Sequence, residues 1–478
     1  MTNKLIAREK ECGQLERCLQ SDRSEFVIVG GRRRIGKTFL VEQYFEKTYA
    51  FKYVGVHKQP MKTQLANFAK AIAKYADRPV QTYADWFEAF DALETYLESL
   101  PGNGRKKVVF IDEMPWIDSQ RSDFVSALEN FWNGWAISQE NILFVATGSA
   151  TSWMMDKLVQ NQGGLHARIT ASIYLSPFSL AETETYLNRN RIKWTRRQVL
   201  QCYMIFGGVP YYLSLLNAQE SLAQNVDRLF FANKAELRME FAELYNAIFT
   251  NADRYISVVK LLSAHMEGMS REEIATALRV EGTQLTTVLT NLEHCDFIAR
   301  WSQFGNKKKE TLFRLVDFYT LFYYAFIEND NSRDEEFWTH NLNNSAIDNW
   351  MGRVFEIVCM QHHKQIKKAL GIMGMHTAVS SWRKRANKEK GTEGAQIDLV
   401  IERADDIIHL CEIKFTRAPY VLRQDYLDHI ERRMWLFQEA TGTNKAVVTT
   451  FVTTYGLSNP NYSHIVHSVL TMDDLFNC

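Results

Sequence analysis

Net charge is what this chain most plainly lacks: its 56 basic residues cancel its 56 acidic ones. No global field draws it to nucleic acid or to a membrane surface, so any such partner must be met by a local patch. Cysteine is sparse and scattered. The seven residues (Cys12, Cys18, Cys202, Cys295, Cys359, Cys411 and Cys478) are odd in number and never form C-x-x-C. That excludes a disulfide framework and a zinc ribbon. Cys359 with His362 and His363 is the nearest approach to a metal cluster, and it reads as structural. With 8 Pro and 23 Gly there is no collagen-like or linker-like bias. The longest apolar run, Phe318–Ile327, is too short to span a bilayer and reads as a buried aromatic helix. Met1-Thr-Asn-Lys-Leu-Ile6 has no apolar core of the secretory kind. A cytoplasmic protein of a reducing compartment, with no membrane partner, is expected.

What is present is a long chain with globular composition. Its 478 residues and 46% hydrophobic content suggest about three domains. From Leu5 to about Leu216 short β-branched runs alternate with amphipathic stretches. Phe26–Val29, Val108–Ile111 and Ile142–Ala146 are continuous apolar runs of strand length, the pattern of a parallel sheet covered on both faces. From about Asn251 the spacing changes. Ile256, Val259 and Leu262 make one helical face, Ser270-Arg-Glu-Glu273 is a capping box, and Leu285, Val288, Leu289 and Leu292 define a third helix. Phe297–Trp301 and Thr311–Leu315 flank Gly305-Asn306 as a β-hairpin. Three short helices and a hairpin make a winged helix-turn-helix. Asn329–Asn344, polar and rich in Asp and Asn, reads as a linker. A helix from Trp350 to about Leu370 then precedes strand-like runs at Ile397–Ile401, Ile407–Ile413 and Ala446–Val452.

The most specific signal is Gly31-Arg-Arg-Arg-Ile-Gly36-Lys37-Thr38, a match to G-x-x-x-x-G-K-[ST] between a buried strand and a helix. Glycines let backbone N–H groups turn inward around phosphate oxygens, and the helix N-terminus adds positive potential. Gly31, Arg34, Ile35, Gly36, Lys37 and Thr38 are therefore expected to hold ATP. Lys37 would neutralise the β- and γ-phosphates, and Thr38 would ligate Mg²⁺. Val108–Ile111 ends in Asp112-Glu113, a strand closing on two acids. Asp112 is assigned to the Mg²⁺ ion and Glu113 to the attacking water. Thr147, in Thr147-Gly-Ser149, is a candidate γ-phosphate sensor, with a capped turn as the structural alternative. Arg168 is a candidate γ-phosphate arginine, with a plain surface arginine as the alternative.

Taken together, the P-loop, Ile111-Asp-Glu-Met-Pro-Trp116, Thr147-Gly-Ser149, Arg168, Ser176-Pro-Phe178 and Gly207-Gly-Val-Pro210-Tyr resemble the prokaryotic ATPases of the AAA+/STAND-related, archaeal-type group. Leu5-Ile-Ala-Arg8-Glu9-Lys-Glu11 resembles that group's R-E-x-E-L motif, with Cys12 in place of the usual leucine. The resemblance implies that Arg8 and Pro210 lie on the adenine side of the nucleotide. It also implies a helical lid and a possible homo-oligomer.

On the third helix of the winged unit, Gln284, Thr286, Thr287, Thr290 and Asn291 are polar, and Lys307-Lys-Lys309 decorates the hairpin tip. A polar recognition helix with a basic wing suits duplex DNA, whereas a lid extension or protein contact is the alternative. Further on, Asp398 and Glu412-Ile-Lys414 lie on two apolar runs joined by the Ala404-Asp-Asp406 turn. A hairpin would bring the carboxylates together, with Glu412 and Lys414 on one face. Mg²⁺ is the natural counter-ion for such a pair, with Lys414 positioning water and Glu356 completing the set. This arrangement resembles the PD-(D/E)XK nucleases, with Ile397 where proline is usual. Trp350-Met-Gly-Arg-Val-Phe-Glu356, Gly394-Ala-Gln-Ile-Asp398 and Glu412-Ile-Lys-Phe415 resemble a domain of unknown function often fused behind these ATPases. The expected fold class is multidomain α/β. It combines a P-loop NTPase parallel sheet (1–178), a helical lid (179–245), a winged helix-turn-helix (246–327) and a restriction-endonuclease-like α/β domain (345–478). Expected partners are ATP, Mg²⁺ and double-stranded DNA.

Overall fold

The computed structural model describes residues 5–102, 104–119, 122–149, 151–154, 158, 165, 168–249, 251–280, 282–305, 311–384, 393–458 and 465–477. It divides into two compact units, one formed by residues 1–177 with 247–250 and the other by 178–246 with 251–478. Among the described residues no helix is long and apolar enough to cross a membrane.

The apolar runs of the first unit become strands for the reason their composition gives. Strands buried on both faces need no alternation, and β1 (Glu25–Gly30) and β4 (Ile142–Thr147) are buried along their whole length. With β2 (Phe51–Val54), β3 (Lys107–Asp112) and β5 (Ala171–Tyr174) they form a five-stranded sheet in the order β2-β3-β4-β1-β5. Every pairing is parallel. Helices Met61–Ala76, Trp86–Ser99 and Phe124–Gly134 supply one core with the sheet. There Phe26 packs on Trp132 and Phe144, with ring centroids 5.0 and 4.8 Å away. Trp86 opens its helix behind Asp85, whose carboxylate caps the Glu88 N–H at 3.0 Å.

The second unit begins with helices Leu180–Arg189, Arg196–Phe206 and Pro210–Ser214. Ser179 and Thr195 start the first two as capping boxes. Helices Ala252–Ala264, Arg271–Leu278 and Thr283–His294 follow, with a three-stranded sheet ordered β6-β8-β7, where β6 is Met269–Ser270, β7 Ile298–Trp301 and β8 Leu312–Leu315. The Ser270 capping box forms as the sequence predicts, with Glu273 closing it. The last sheet is mixed: β9 (Thr377–Lys384), β10 (Ala395–Arg403), β11 (Ile407–Lys414), β12 (Ala446–Thr453) and β13 (Val466–Thr471), ordered β13-β12-β11-β10-β9. Strands β9 to β11 are antiparallel, and β11 to β13 run parallel.

Two expectations need correction. The expected linker Asn329–Asn344 contains a helical turn, Phe337–His340, whose Trp338 is only 3% exposed. Trp338 packs edge-on to Phe322 and Phe326, and the Asp227 carboxylate accepts its backbone N–H at 2.7 Å. Burying one indole outweighs the polar composition around it. The helix expected from Trp350 to about Leu370 is two helices, Ser345–Gln361 and His363–Ala369, meeting at His362. The ring of His362 is buried, bonds the Val358 carbonyl at 2.9 Å and accepts the Leu180 N–H at 3.3 Å. Burial pushes its pKa down to about 4, so it is a neutral core histidine, as the structural reading of Cys359, His362 and His363 expects.

Candidate nucleotide site and C-terminal carboxylate cluster

The Gly31–Thr38 loop follows β1 and runs into helix Lys37–Tyr44. Its backbone departs from ordinary conformations where the motif demands. Gly31 has φ +136° and Gly36 φ +91°. A Cβ on Gly31 would lie 2.5 Å from the Leu175 carbonyl oxygen, so only glycine fits. Arg34 also takes a positive φ, +72°. Ile35 is buried. Lys37 is 5% exposed, and its Nζ donates to the Gly31 and Arg32 carbonyls, both at 2.9 Å. The ammonium is thus held over the loop by the loop's own backbone.

The C-terminal ends of β3 and β4 meet this loop. Thr38 Oγ1 donates to the Asp112 carboxylate, 2.9 and 3.1 Å from its two oxygens. Thr147 Oγ1 donates to Asp112 Oδ1. Burial raises the Asp112 pKa, with the Thr147 and Thr38 hydroxyls opposing that rise. Glu113 sits in the left-handed region at φ +48°, a conformation that costs a non-glycine residue about 1–2 kcal/mol. Its N–H donates to Thr147 Oγ1 at 3.1 Å. Ser149 engages both of its carboxylate oxygens, the hydroxyl at 2.7 Å and the backbone N–H at 3.3 Å. Sequence reasoning placed Ser149 in the right turn but gave it no partner.

The outlying candidates are less tightly gathered. Arg8 is 7% exposed at the start of helix Glu9–Gln20, and its Nη2 donates to the Ser176 carbonyl at 3.0 Å. Arg168 lies in an exposed turn. Pro210 is the first residue of helix Pro210–Ser214 in the second unit. Just before it, a Cβ on Gly208 would lie 1.9 Å from the Phe178 carbonyl oxygen. This glycine therefore lets two backbones touch, and Phe178 N–H bonds the Gly208 carbonyl at 2.7 Å.

In the last sheet, β10 and β11 form the expected hairpin, with Leu399 opposite Cys411. Continuing that register sets Asp398 opposite Glu412. Glu412 and Lys414 share a face, their charged atoms 2.7 Å apart. Glu412 also takes Tyr426 Oη and Arg433 Nη1 from helix Gln424–Thr441. Burial opposes ionisation of Glu412, but Lys414 and Arg433 outweigh it and hold its carboxyl below the usual range. Asp398 Oδ1 accepts from Gln396 at 2.8 Å and from Arg314 Nη2 at 3.2 Å. Glu356, on helix Ser345–Gln361, feels Asp398, Lys414, Arg314 and Glu412 together. Burial first, and then Asp398, push its pKa up to about 8. All four predicted residues are thus brought together. Arg314, Tyr426 and Arg433 were missed. Among the described residues no group of three or more His, Cys, Asp or Glu is placed to hold a metal ion.

On the third helix of the winged-helix reading, Gln284, Thr286 and Thr287 are exposed, while Thr290 and Asn291 are half-buried. The Asn291 amide donates to Tyr255 Oη at 2.9 Å. Lys307–Lys309 lie outside the described residues.

Compared with known proteins, residues 5–216 match the profile of an ATPase domain found predominantly in Archaea. That stretch is a P-loop ATPase domain, and ATP is its ligand. The chain is 23% identical over 408 residues to the uncharacterized protein MJECL04 of Methanocaldococcus jannaschii, covering 84% of this chain and 85% of that one. Among solved structures it is similar to the Walker-type ATPase PABY2304 of Pyrococcus abyssi, with 16% identity and a TM-score of 0.47, over 68% of this chain and 97% of that one. It is also similar to the ORC2 protein of Aeropyrum pernix, with 17% identity and a TM-score of 0.42, over 75% of this chain and 96% of that one.

Proposed function

We propose that the chain hydrolyses ATP with Mg²⁺ in the service of a nucleic-acid-directed task. The observation that carries the hydrolytic half is the hydrogen-bonded set Thr38–Asp112–Thr147 beside the Lys37 loop. A hydroxyl and a carboxylate in mutual contact on the phosphate side of a P-loop are a donor set that suits Mg²⁺. Thr38 and Asp112 would hold the ion, which when bound neutralises phosphate charge. Lys37 supplies a further fixed positive charge there. Glu113, once released by Ser149, orients water. Arg8 is read as an adenine-side residue of this module, and Thr147 and Arg168 as γ-phosphate residues; residues 179–245, with Pro210, are read as a helical lid.

Residues 246–327 are read as a winged helix that docks duplex DNA. In support, Gln284, Thr286 and Thr287 line the exposed face of helix Thr283–His294. Arg271 Nε reaches Thr286 at 3.4 Å and sets a cation beside that face. Polar side chains with a flanking arginine suit groove and phosphate contacts. Residues 345–478 are read as a PD-(D/E)XK nuclease-like domain. Mg²⁺ does not suit its carboxylates as they stand, because Asp398 is engaged by Arg314 and Glu412 by Lys414 and Arg433. No cleavage step is derived through that ion. The same contacts favour a second reading, an ATP-dependent switch whose nuclease-like fold serves only binding.

Phosphate release from Mg-ATP with and without duplex DNA separates the two. The nucleic-acid-directed reading expects duplex to stimulate wild-type turnover by about tenfold, with the effect weakening as salt rises. Arg271→Ala should halve the stimulation or more and leave basal turnover alone. Turnover indifferent to DNA would favour the switch.

A further inference from the structure

We infer that Arg314 is an internal cation that closes the C-terminal carboxylate site against a divalent ion. The inference rests on reading Glu356, Asp398, Glu412 and Lys414 as a nuclease-like constellation.

Arg314 lies on β8 of the three-stranded sheet, remote in sequence from the residues it meets. Its neighbours on the strand, Leu312, Phe313 and Leu315, are buried apolar residues, and Arg314 itself is 2% exposed. A buried guanidinium on so apolar a strand requires an anion. Its Nη2 finds Asp398 at 3.2 Å, while Nη1 faces the Met360 sulfur at 2.9 Å and Nε makes no hydrogen bond among the described residues. One charged bond and one thioether contact are a poor use of a five-donor fork. Charge neutralisation, more than hydrogen bonding, therefore holds this side chain in place. Space has been made for it as well: a Cβ on Gly268 would lie 2.7 Å from Arg314 Cγ.

The sheet that carries Arg314 is itself fastened to the nuclease-like sheet. Just beyond β7, Phe304 N–H donates to the Ser381 carbonyl at 2.7 Å, and Ser381 N–H donates to the Ser302 carbonyl at 3.0 Å. This extends the β9 edge by a short parallel bridge. Arg383 on β9 pairs with Glu273 at 3.1 Å. Phe304 packs on Phe437 with centroids 4.9 Å apart. Arg314 is thus delivered to Asp398 by a docked module. Lys414 and Arg433 neutralise the Glu412 half, and Arg314 neutralises Asp398 beside the proton-holding Glu356. Undocking the three-stranded sheet withdraws that cation and leaves Asp398, with Glu356 beside it, in need of another.

The test is Mn²⁺ binding to the nucleotide-free full chain, counted by electron paramagnetic resonance, with melting temperature followed in parallel. Wild type is expected to bind no ion at sub-millimolar Mn²⁺, and its melting temperature should not respond. Arg314→Met is expected to bind one ion at least tenfold more tightly than wild type. It should melt lower than wild type without metal and recover when Mn²⁺ is added. Adding Asp398→Asn should abolish both effects. Arg314→Gln, which keeps a hydrogen-bond donor for Asp398 and removes only the charge, serves if the methionine variant does not fold. One Asp398-dependent ion bound equally by wild type and variant would overturn the closure and leave the nuclease-like reading standing. No ion in either folded protein would overturn both.

Discussion

Replacing Lys37 with alanine is expected to lower kcat for ATP hydrolysis by about 10²–10³-fold, the usual cost of removing a preorganised charge from a transition state. The side chain is buried, tethered to the Gly31 and Arg32 carbonyls, and lies in the loop that precedes Thr38 and Asp112. Its charge is thus in place before any nucleotide arrives. Because the same ammonium meets the ground-state phosphates, ATP affinity should also fall, raising KM along with the loss in kcat. The fold should survive, since the tethering carbonyls belong to a loop whose shape Gly31 and Gly36 already fix. Phosphate release at saturating ATP, with circular dichroism as the check on folding, measures both parts.

The second large effect concerns pH and stability. Glu356 carries a pKa pushed up to about 8 by burial and by the Asp398 carboxylate. A raised folded-state pKa means that the native protein holds a proton which the unfolded chain releases above its ordinary carboxylate pKa. The stabilisation is therefore fully present below about pH 4.5 and is lost progressively as pH rises through about 8. Glu356→Gln, which mimics the protonated form at every pH, should be more stable than wild type at pH 9. The advantage should be on the order of 2–4 kcal/mol, shrinking toward zero near pH 4.5. Denaturant titrations of both proteins at pH 5, 7 and 9 give the comparison. The proton belongs to the Glu356–Asp398 pair, so Asp398→Asn should flatten the wild-type profile in the same direction.

Those two residues also show where sequence suffices. Lys37 is legible because a phosphate loop is a local object: glycines, lysine and hydroxyl lie within eight consecutive positions. Strands β1, β3 and β4 are legible because burial on both faces leaves continuous apolar runs. The β10–β11 hairpin follows from two such runs and a polar turn, and with it the facing positions of Asp398 and Glu412. Glu356 needed a longer motif, since its helix precedes the strands it serves.

Other features were harder to read for physical reasons. Arg314 reaches Asp398 through space, and nothing near either residue in sequence points to the other. The one available signal was an arginine inside the apolar strand Leu312–Leu315, which has to find an anion somewhere. Tyr426 and Arg433 are seven residues apart on one helix, hence on one face, but that spacing does not name Glu412 as their target. Asn329–Asn344 read as a linker because polar residues dominate its count, whereas its structure is set by Trp338. Ser149 lay beside a residue already singled out. Its bond to Glu113 depends on how the ends of β3 and β4 come together, which no local pattern encodes.

The central claim, that this P-loop ATPase domain turns over ATP through the residues gathered at the ends of β3 and β4, is tested most directly with Glu113→Gln. The substitution keeps the size of the side chain and a partner for Ser149 while removing the charge that orients water. Equilibrium binding of ATP and the rate of phosphate release are measured on the variant and on wild type. The account predicts ATP binding within about threefold of wild type and phosphate release at least about 100-fold slower. Phosphate release at the wild-type rate by a variant that binds ATP normally would contradict it.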